Sequence, residues 1–161
     1  MGIWLVAACT QQPTGKVIIE KKVNPATTGD SFTATTNELC LKEGKPIVRE
    51  FATSWCPHCA WVKDTYQQVV QDYVKEGKII AYQWEVDTGN DLLTEALEFT
   101  VPESEMQVFK KFSPDGAIPT FVIGCKYYRI GNAYESQDDK EAEAKEFQGI
   151  IDKVLEEVQN P

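Results

Sequence analysis

Two cysteines three residues apart, where a strand pattern changes into a helix pattern, constrain this chain most. Segment 54–59 reads Ser-Trp-Cys-Pro-His-Cys; it follows a β-branched and aromatic run and precedes helically spaced apolar residues over 59–76. Pro57 suits the first turn of a helix, because its missing N–H group costs nothing there. The Cys56 thiol would face the unpaired N–H groups and positive dipole end of that helix, which stabilise a thiolate. The spacing predicts a redox-active disulfide, with His58 adding a donor or a positive charge to the thiolate.

Two other uses of this cysteine pair are half of a zinc site and a purely structural disulfide. A zinc site needs four ligands, and the chain has neither a second Cys-x-x-Cys nor a pair of histidines, since His58 is its only His. A structural disulfide is disfavoured because so small a loop at a strand-to-helix turn is close to strained. We therefore expect no metal and no other cofactor at Cys56 and Cys59.

Length and charge set the class of protein. The chain has 161 residues, which corresponds to one domain, and its 16 basic and 25 acidic residues give a net charge of −9. This balance argues against nucleic acid and against an anionic membrane surface as partners, since phosphate binding needs basic patches. Five cysteines are too few for a disulfide scaffold, and the odd number suggests that one has a separate role.

The N-terminus offers that separate role. Residues 6–9 read Val-Ala-Ala-Cys after an apolar start, and this resembles the lipobox of bacterial lipoproteins. The resemblance implies cleavage before Cys9 and a lipid anchor on its thiol. No Lys or Arg precedes Lys16, so we interpret residues 1–9 as a truncated signal and lipobox segment; the alternative is an ordinary apolar terminus. Residues 10–36, rich in Pro, Gly and Thr, are expected to be a tether, and residues 37–161 the folded domain.

The remaining periodicity predicts an α/β domain with a mixed sheet. The expected elements are a strand over 47–53, a helix over 59–76, a strand over 78–87, short helices over 91–99 and 104–112, hairpin strands over 118–123 and 127–130, and a final amphipathic helix. Ser104 and Gln107 form a potential capping box for the second short helix, and Ser136 is the expected cap of the final one.

These motifs resemble the thioredoxin superfamily over about residues 37–158. The strand–Cys-Pro-His-Cys–helix segment is similar to that family, and Ala-Ile-Pro-Thr-Phe over 117–121 looks like the loop that bears its cis-proline. The resemblance implies a thioredoxin fold, a mixed central sheet flanked by helices, with a short helical insertion before the cis-Pro loop. Cys-Pro-His-Cys is the variant typical of DsbA-like thiol oxidases, although some reductases carry it too.

The same resemblance assigns roles to single residues. Cys56 would be the exposed nucleophile and Cys59 the buried resolving thiol. Pro119 would lie against the disulfide, while the Ile118 backbone pairs with an extended substrate peptide. Trp55 is expected to add apolar surface for unfolded substrates.

Glu50 lies in an apolar strand, six residues before the first cysteine of the pair, where the family carries a buried carboxylate. A buried acid has a raised pKa and can take the proton from Cys59 as that thiol attacks a mixed disulfide. Strand alternation alone leaves open that Glu50 faces solvent. The family often places a Lys beside this acid, and the aligned residue here is Gln83, so we expect a less tethered acid.

Cys40 and Cys125 remain. In the fold implied by the resemblance, the strand after the cis-proline runs antiparallel to the strand entering the active site, which brings both cysteines to the far end of the sheet. We therefore predict a structural disulfide that stabilises the domain by roughly 4 kcal/mol in the chain-entropy model. Two buried free thiols are the alternative. Such a disulfide implies an oxidising compartment.

The expected function is a lipid-anchored, extracytoplasmic thiol–disulfide oxidoreductase, with oxidase or isomerase activity favoured over reductase. Protein thiols and disulfides would be its substrates, and a membrane redox partner would recycle Cys56 and Cys59. The membrane would be contacted through the lipid anchor only. Two alternatives are a membrane-tethered copper-binding or metallochaperone domain that uses the two thiols, and a cytosolic thioredoxin-like reductase.

Overall fold

The strand that leads into the cysteine pair forms the centre of the sheet. The structure, a computed structural model, describes residues 29–160. Strand β3 (Lys45–Ala52) pairs in parallel with β4 (Ile80–Glu85) and antiparallel with β6 (Thr120–Ile123). Its residues are buried on both faces because helices cover the sheet on both sides. The predicted mixed α/β architecture is confirmed.

Shorter strands complete the sheet. They are β1 (Thr33–Ala34), β2 (Leu41–Lys42), β5 (Asn90–Asp91) and β7 (Tyr127–Ile130). The strand order is β1-β7-β6-β3-β4-β5, and β2 pairs antiparallel with the start of β3. Strands β6 and β7 form the expected antiparallel hairpin, so the segment after the cis-proline returns along the sheet.

In the part of the chain that the structure describes, three α-helices pack on the two faces of the sheet. They are α1 (Pro57–Lys75), α2 (Glu103–Phe112) and α3 (Lys140–Gln159). Helices α1 and α3 share one apolar core with the β3 face that carries Val48 and Glu50. Helix α2 covers the opposite face, where Phe51 packs against Phe109 with ring centroids 5.0 Å apart. None of the helices within 29–160 combines the length and apolar character that crossing a membrane requires.

The helix predicted over 91–99 is wrong. The segment forms β5 followed by turns, and side chains take over the backbone groups that a helix would use. The Asp91 carboxylate accepts from the backbone N–H groups of Gln83 and Leu93, and the Asn90 side-chain oxygen accepts from that of Glu98. Asx side chains often compete with helices in this way. The insertion before the cis-Pro loop therefore contains one helix, α2, rather than two.

Two predicted helix caps also differ. Helix α2 begins after Pro102, so Ser104 lies inside its first turn and makes no capping bond. Ser136 lies in a short 3₁₀ turn (Glu135–Gln137), and the cap of α3 is Asp139, whose carboxylate accepts from the Ala142 N–H at 2.9 Å. The observed caps lie two residues before the predicted cap of α2 and three residues after that of α3.

The described fold begins before Asn37, the boundary that composition suggested. Strand β1 adds to the edge of β7, and Phe32 is buried in an edge-to-face contact with Phe147. Gly29 has a φ of +93°, and an added Cβ there would lie 3.1 Å from the Ile150 nitrogen. Cys9 and the other residues of 1–28, including the predicted lipobox, lie outside the described residues.

Candidate active site

Helix α1 places the cysteine pair at its N-terminus. Pro57 is the first helical residue, and Cys56 is the N-cap, with the extended backbone that a cap requires. The two cysteines form a disulfide with their Cα atoms 5.3 Å apart. The Cys59 N–H donates to the Cys56 sulfur at 3.1 Å. When the disulfide opens, this bond and the helix dipole would both stabilise a thiolate on Cys56.

The two cysteines do not differ in solvent exposure, although the resemblance implied an exposed Cys56 and a buried Cys59. Cys56 and Cys59 are each 4% exposed in the oxidised form, so what distinguishes Cys56 is its place at the cap rather than its accessibility. Trp55 beside them is 72% exposed. The pair packs against Ile118, which precedes a cis peptide bond to Pro119.

His58 takes a different partner from the expected one. Its Nδ1 lies 2.8 Å from a carboxylate oxygen of Glu135, and its backbone carbonyl accepts from the Asn132 side chain at 2.9 Å. Asn132 also donates to Glu135. Burial raises the pKa of Glu135, but the hydrogen bonds from Asn132 and His58 outweigh it and leave that pKa lowered. The imidazole is thus held by a carboxylate of the 3₁₀ turn that precedes α3.

A second carboxylate fixes the loop before the pair. Asp87 accepts from the Ser54 backbone N–H at 3.0 Å and from its hydroxyl at 2.6 Å. Although desolvation raises the pKa of Asp87, the hydrogen bonds from Ser54 and from the local backbone lower it overall. The turn after β4 therefore anchors the chain between β3 and the first cysteine.

Glu50 is fully buried, on the β3 face that α1 covers. Burial raises its pKa from 4.5 to about 8, against the opposing effects of a hydrogen bond from Gln83 and the charges of Lys63 and Arg129. Gln83 lies directly opposite Glu50 in the parallel β3–β4 register, and its amide donates to the carboxyl at 2.6 Å. The expectation of a less tethered acid is wrong, because the glutamine itself holds it.

A cavity of about 90 Å³ connects this acid with the redox pair. Its lining includes Glu50 and Gln83 from the sheet and Cys59 and Lys63 from α1. Glu50 Oε1 is buried without a protein hydrogen-bond partner. A pocket of this size, with polar groups in its lining, is large enough to hold water.

The comparisons with known proteins bear on this arrangement. The thioredoxin family model matches residues 26–113, more than half of the chain, and the match spans β3, the cysteine pair and α1. The chain belongs to the thioredoxin family. Family and redox pair together make it a thiol–disulfide oxidoreductase. The matched segment ends before the cis-proline, Pro119.

Solved structures show the same fold. An oxidised point mutant of DsbA1 has a TM-score of 0.50 and 18% identity, covering 84% of this chain and 99% of its own. The oxidoreductase NmDsbA1 from N. meningitidis also has a TM-score of 0.50, with 17% identity, covering 82% of this chain and 93% of its own. No curated protein sequence matches the chain. At these identities, the likeness to DsbA concerns the thioredoxin fold.

The structure joins Cys40 and Cys125, the two cysteines that the fold topology led us to pair. Their Cα atoms are 5.3 Å apart and 85 residues separate them in the chain. The buried guanidinium of Arg49 packs beside this disulfide, with Nη1 3.7 Å from the Cys125 sulfur. Its other two nitrogens bind both carboxylate oxygens of Glu105 on α2. This thioredoxin domain therefore carries a second disulfide and a buried ion pair on the sheet face opposite Glu50.

Sequence reasoning missed several residues of the site. They are Lys63, Gln67, Asp87, Asn132 and Glu135. For two of them a signal existed, since Cys59, Lys63 and Gln67 follow one another at four-residue steps and must share one side of α1. Glu135 lies 77 residues from His58, and no local pattern links them. Within residues 29–160, no three His, Cys, Asp or Glu side chains are grouped as a metal ion would require.

Proposed function

We propose that this thioredoxin-family protein oxidises the thiols or isomerises the disulfides of protein substrates outside the cytoplasm, through Cys56 and Cys59. The observation that carries the proposal is the pairing of an oxidised disulfide with a buried acid across one small cavity. Because burial raises its pKa to about 8, Glu50 is mostly protonated at neutral pH. A protonated acid beside Cys59 suits a reaction in which Cys59 leaves as a thiolate and needs a proton.

The proposed exchange proceeds in two steps. A substrate thiolate attacks the Cys56 sulfur, the Cys56–Cys59 bond breaks, and the departing Cys59 thiolate takes the proton from Glu50. A second substrate thiolate then attacks the substrate sulfur of the mixed disulfide and releases Cys56 as a thiolate. The substrate leaves with a new disulfide, and the enzyme has gained its two electrons. In the reverse direction, Glu50 would accept the proton of Cys59 as it resolves the mixed disulfide.

The oxidising direction is supported by the surroundings of Cys56. A thiolate that is stabilised by a helix N-terminus and by the Cys59 N–H favours the reduced form, and a stable reduced form makes its disulfide a stronger oxidant. Trp55 and the cis-Pro loop with Ile118 and Pro119 lie beside the pair, where an extended peptide could add to the loop backbone.

The compartment is argued from the other cysteines. A Cys40–Cys125 disulfide is typical of proteins that work in oxidising surroundings, outside the bacterial cytoplasm. The lipobox-like residues 6–9 favour a lipid on Cys9, which would place the domain at a membrane surface. A membrane redox partner would then restore the disulfide after each turnover.

The reduction potential of Cys56–Cys59 tests the direction. We expect a reduction potential of about −120 mV, as for strong oxidants, whereas a potential of about −270 mV would identify a reductase. Cys56→Ser should abolish oxidation of a dithiol peptide. An active Cys56→Ser protein would overturn the assignment of the nucleophile.

A separate experiment tests the anchor. The full chain and its Cys9→Ala variant are expressed in bacteria, and membrane and soluble fractions are compared by intact mass. The proposal expects the membrane-bound protein to have lost residues 1–8 and to carry a lipid-sized mass on Cys9, and the variant to appear in the soluble fraction. Equal distribution of both proteins, with no lipid mass on Cys9, would contradict lipid anchoring.

A further inference from the structure

The two oxygens of the Glu50 carboxyl have different surroundings. Oε2 accepts a hydrogen bond from the Gln83 side-chain nitrogen at 2.6 Å, whereas Oε1 is buried and has no protein partner. A proton on Oε2 that pointed at the Gln83 amide would meet the N–H that already donates to this oxygen, and the two donors would repel each other. When the carboxyl is protonated, its hydrogen therefore belongs on Oε1.

A second glutamine fixes this arrangement. The Gln67 side-chain nitrogen donates to the Gln83 side-chain oxygen at 2.6 Å, so that the two amides and the carboxyl form one directed chain from α1 to β3. If the Gln83 amide alone turned over, its nitrogen would face the Gln67 nitrogen, and two donors would oppose each other. Gln83 can therefore reverse only if the Gln67 amide also turns over, so the end of Gln83 that faces Glu50 is coupled to the orientation of Gln67.

We propose that Gln67 is a positioning residue that keeps the exchangeable proton of Glu50 on Oε1, the oxygen left for the cavity shared with Cys59. This inference rests on the proposed role of Glu50 in thiol–disulfide exchange. With the amide chain as observed, the proton can pass from Oε1 to the departing Cys59 thiolate, directly or through a water in the cavity. Glu50 is then left as a carboxylate whose Oε2 still accepts from Gln83.

The opposite orientation would block this transfer. A turned Gln83 would present its oxygen to Glu50, and a protonated Oε2 would donate to it. The proton would then lie in a buried hydrogen bond pointing away from the cavity, and Cys59 could take it only after that bond breaks. In its observed orientation Gln67 opposes this reversal, through a hydrogen bond to Gln83 alone.

Several other groups surround the carboxyl and stay constant in the experiment. They are Lys63 and Tyr66 on α1, Glu85 on β4 and Arg129 on β7. Asp91 on β5 accepts from the Gln83 backbone N–H. Lys63 and Arg129 favour the charged acid, while Tyr66 is buried and bonded to the Tyr82 carbonyl. A change confined to the amide chain can therefore be separated from a change in local charge.

The test uses three variants of the full chain. Gln67→Glu is nearly isosteric but can only accept when ionised, so it should turn Gln83 over. Gln67→Leu removes the donor without supplying an acceptor. Gln68→Glu makes the same charge change on the exposed neighbouring residue and is the matched control. Thermal unfolding of the oxidised variants verifies that each is folded.

Two measurements follow. Infrared spectroscopy of the oxidised proteins reports the carboxylic C=O stretch of Glu50, which is assigned by its loss in Glu50→Gln. Stopped-flow oxidation of a dithiol peptide gives the rate from about pH 5 to about pH 9. We expect Gln67→Glu to shift the stretch and to slow oxidation about tenfold near neutral pH, Gln67→Leu to have a smaller effect, and Gln68→Glu to match the unmodified protein.

The outcomes separate the two proposals. If Gln67→Glu leaves both the stretch and the rate profile unchanged while Glu50→Gln slows the reaction, the positioning role is refuted and the role of Glu50 stands. If Glu50→Gln leaves the rate unchanged, the proton-transfer role of the acid fails, and the positioning role fails with it even if the stretch has shifted. An equal effect of Gln68→Glu would show that charge, not amide orientation, is responsible.

Discussion

Replacing Glu50 by Gln should stabilise the oxidised protein, and more so as the pH rises. Burial raises the pKa of Glu50 from 4.5 to about 8, so ionisation is harder in the folded than in the unfolded state. Well below pH 4.5 both states carry the proton, and the shift has no effect on stability. Between pH 4.5 and about 8 only the unfolded state is ionised, and folding stability falls by roughly 1.4 kcal/mol per pH unit. The loss is about 3 kcal/mol at neutral pH and about 5 kcal/mol above about pH 8.

The Glu50→Gln variant isolates this effect because it keeps the size of the side chain and removes only its ability to ionise. An amide at this position still has an oxygen that can accept the hydrogen bond from Gln83. The variant therefore avoids the cost of burying a charge at every pH, and the unmodified protein avoids it only where the acid is protonated.

The assay is urea denaturation of both proteins with Cys56–Cys59 oxidised, at about pH 4.5, about pH 7 and about pH 8.5. We expect the stability difference to grow by about 3 kcal/mol between the first two values, in favour of Glu50→Gln. Glu95→Gln removes a carboxylate at an exposed position and is the control for net charge. A stability difference that stays constant over the whole range would refute the raised pKa of Glu50, and with it the protonated acid in the proposed exchange.

Three further predictions concern stability and are measured by denaturant unfolding. Replacing both Cys40 and Cys125 by Ala should lower the free energy of unfolding by about 4 kcal/mol, because the disulfide closes a long loop; a loss below about 1 kcal/mol would contradict this. Arg49→Met should cost about 3 kcal/mol or more, since it leaves a buried carboxylate on α2 unpaired, and a neutral result would contradict that pairing. Gly89→Ala should cost at least about 3 kcal/mol, because the new Cβ would collide with the backbone that faces it, whereas Gly116→Ala, also at positive φ but in open space, should cost about 1 kcal/mol. Equal losses for the two glycines would contradict the steric argument.

The central part of the fold could be predicted because its signals are local. The β-branched run of β3, the proline at the first turn of α1 and the apolar periodicity of that helix each lie within a few residues of the feature they specify. The helix predicted over 91–99 is wrong because its structure depends on contacts that are not local. Its apolar residues have helical spacing, but Asn90 and Asp91 bind backbone groups on the neighbouring strand and loop, and that competition depends on tertiary contacts.

In the candidate active site, too, local patterns could be predicted from the sequence and tertiary contacts could not. The spacing of Cys56 and Cys59 identifies the chemistry, whereas the partner of His58 depends on a turn that reaches the site only after β7 has returned along the sheet. The hydrogen bond that holds Glu50 could not be predicted. The sequence shows that a glutamine stands where the family often has a lysine, but not how the glutamine amide is oriented. At 2.6 Å from the carboxyl, Gln83 supplies a hydrogen bond without adding a charge.

Strand β3 buries two consecutive charged side chains, and the hydrogen-bond partners of the two are different in kind. Arg49 points to the α2 face, where Glu105 binds it through two hydrogen bonds, while Glu50 points to the α1 face and accepts its hydrogen bond from the uncharged Gln83 amide. The difference follows from chemistry, because a guanidinium cannot lose its charge in a protein and must be paired when buried. A carboxyl can instead bind a proton, and burial without a paired cation raises the pKa of Glu50 to about 8. Of the two side chains, only the acid can be buried uncharged, and in the proposed exchange only the acid can supply a proton to Cys59.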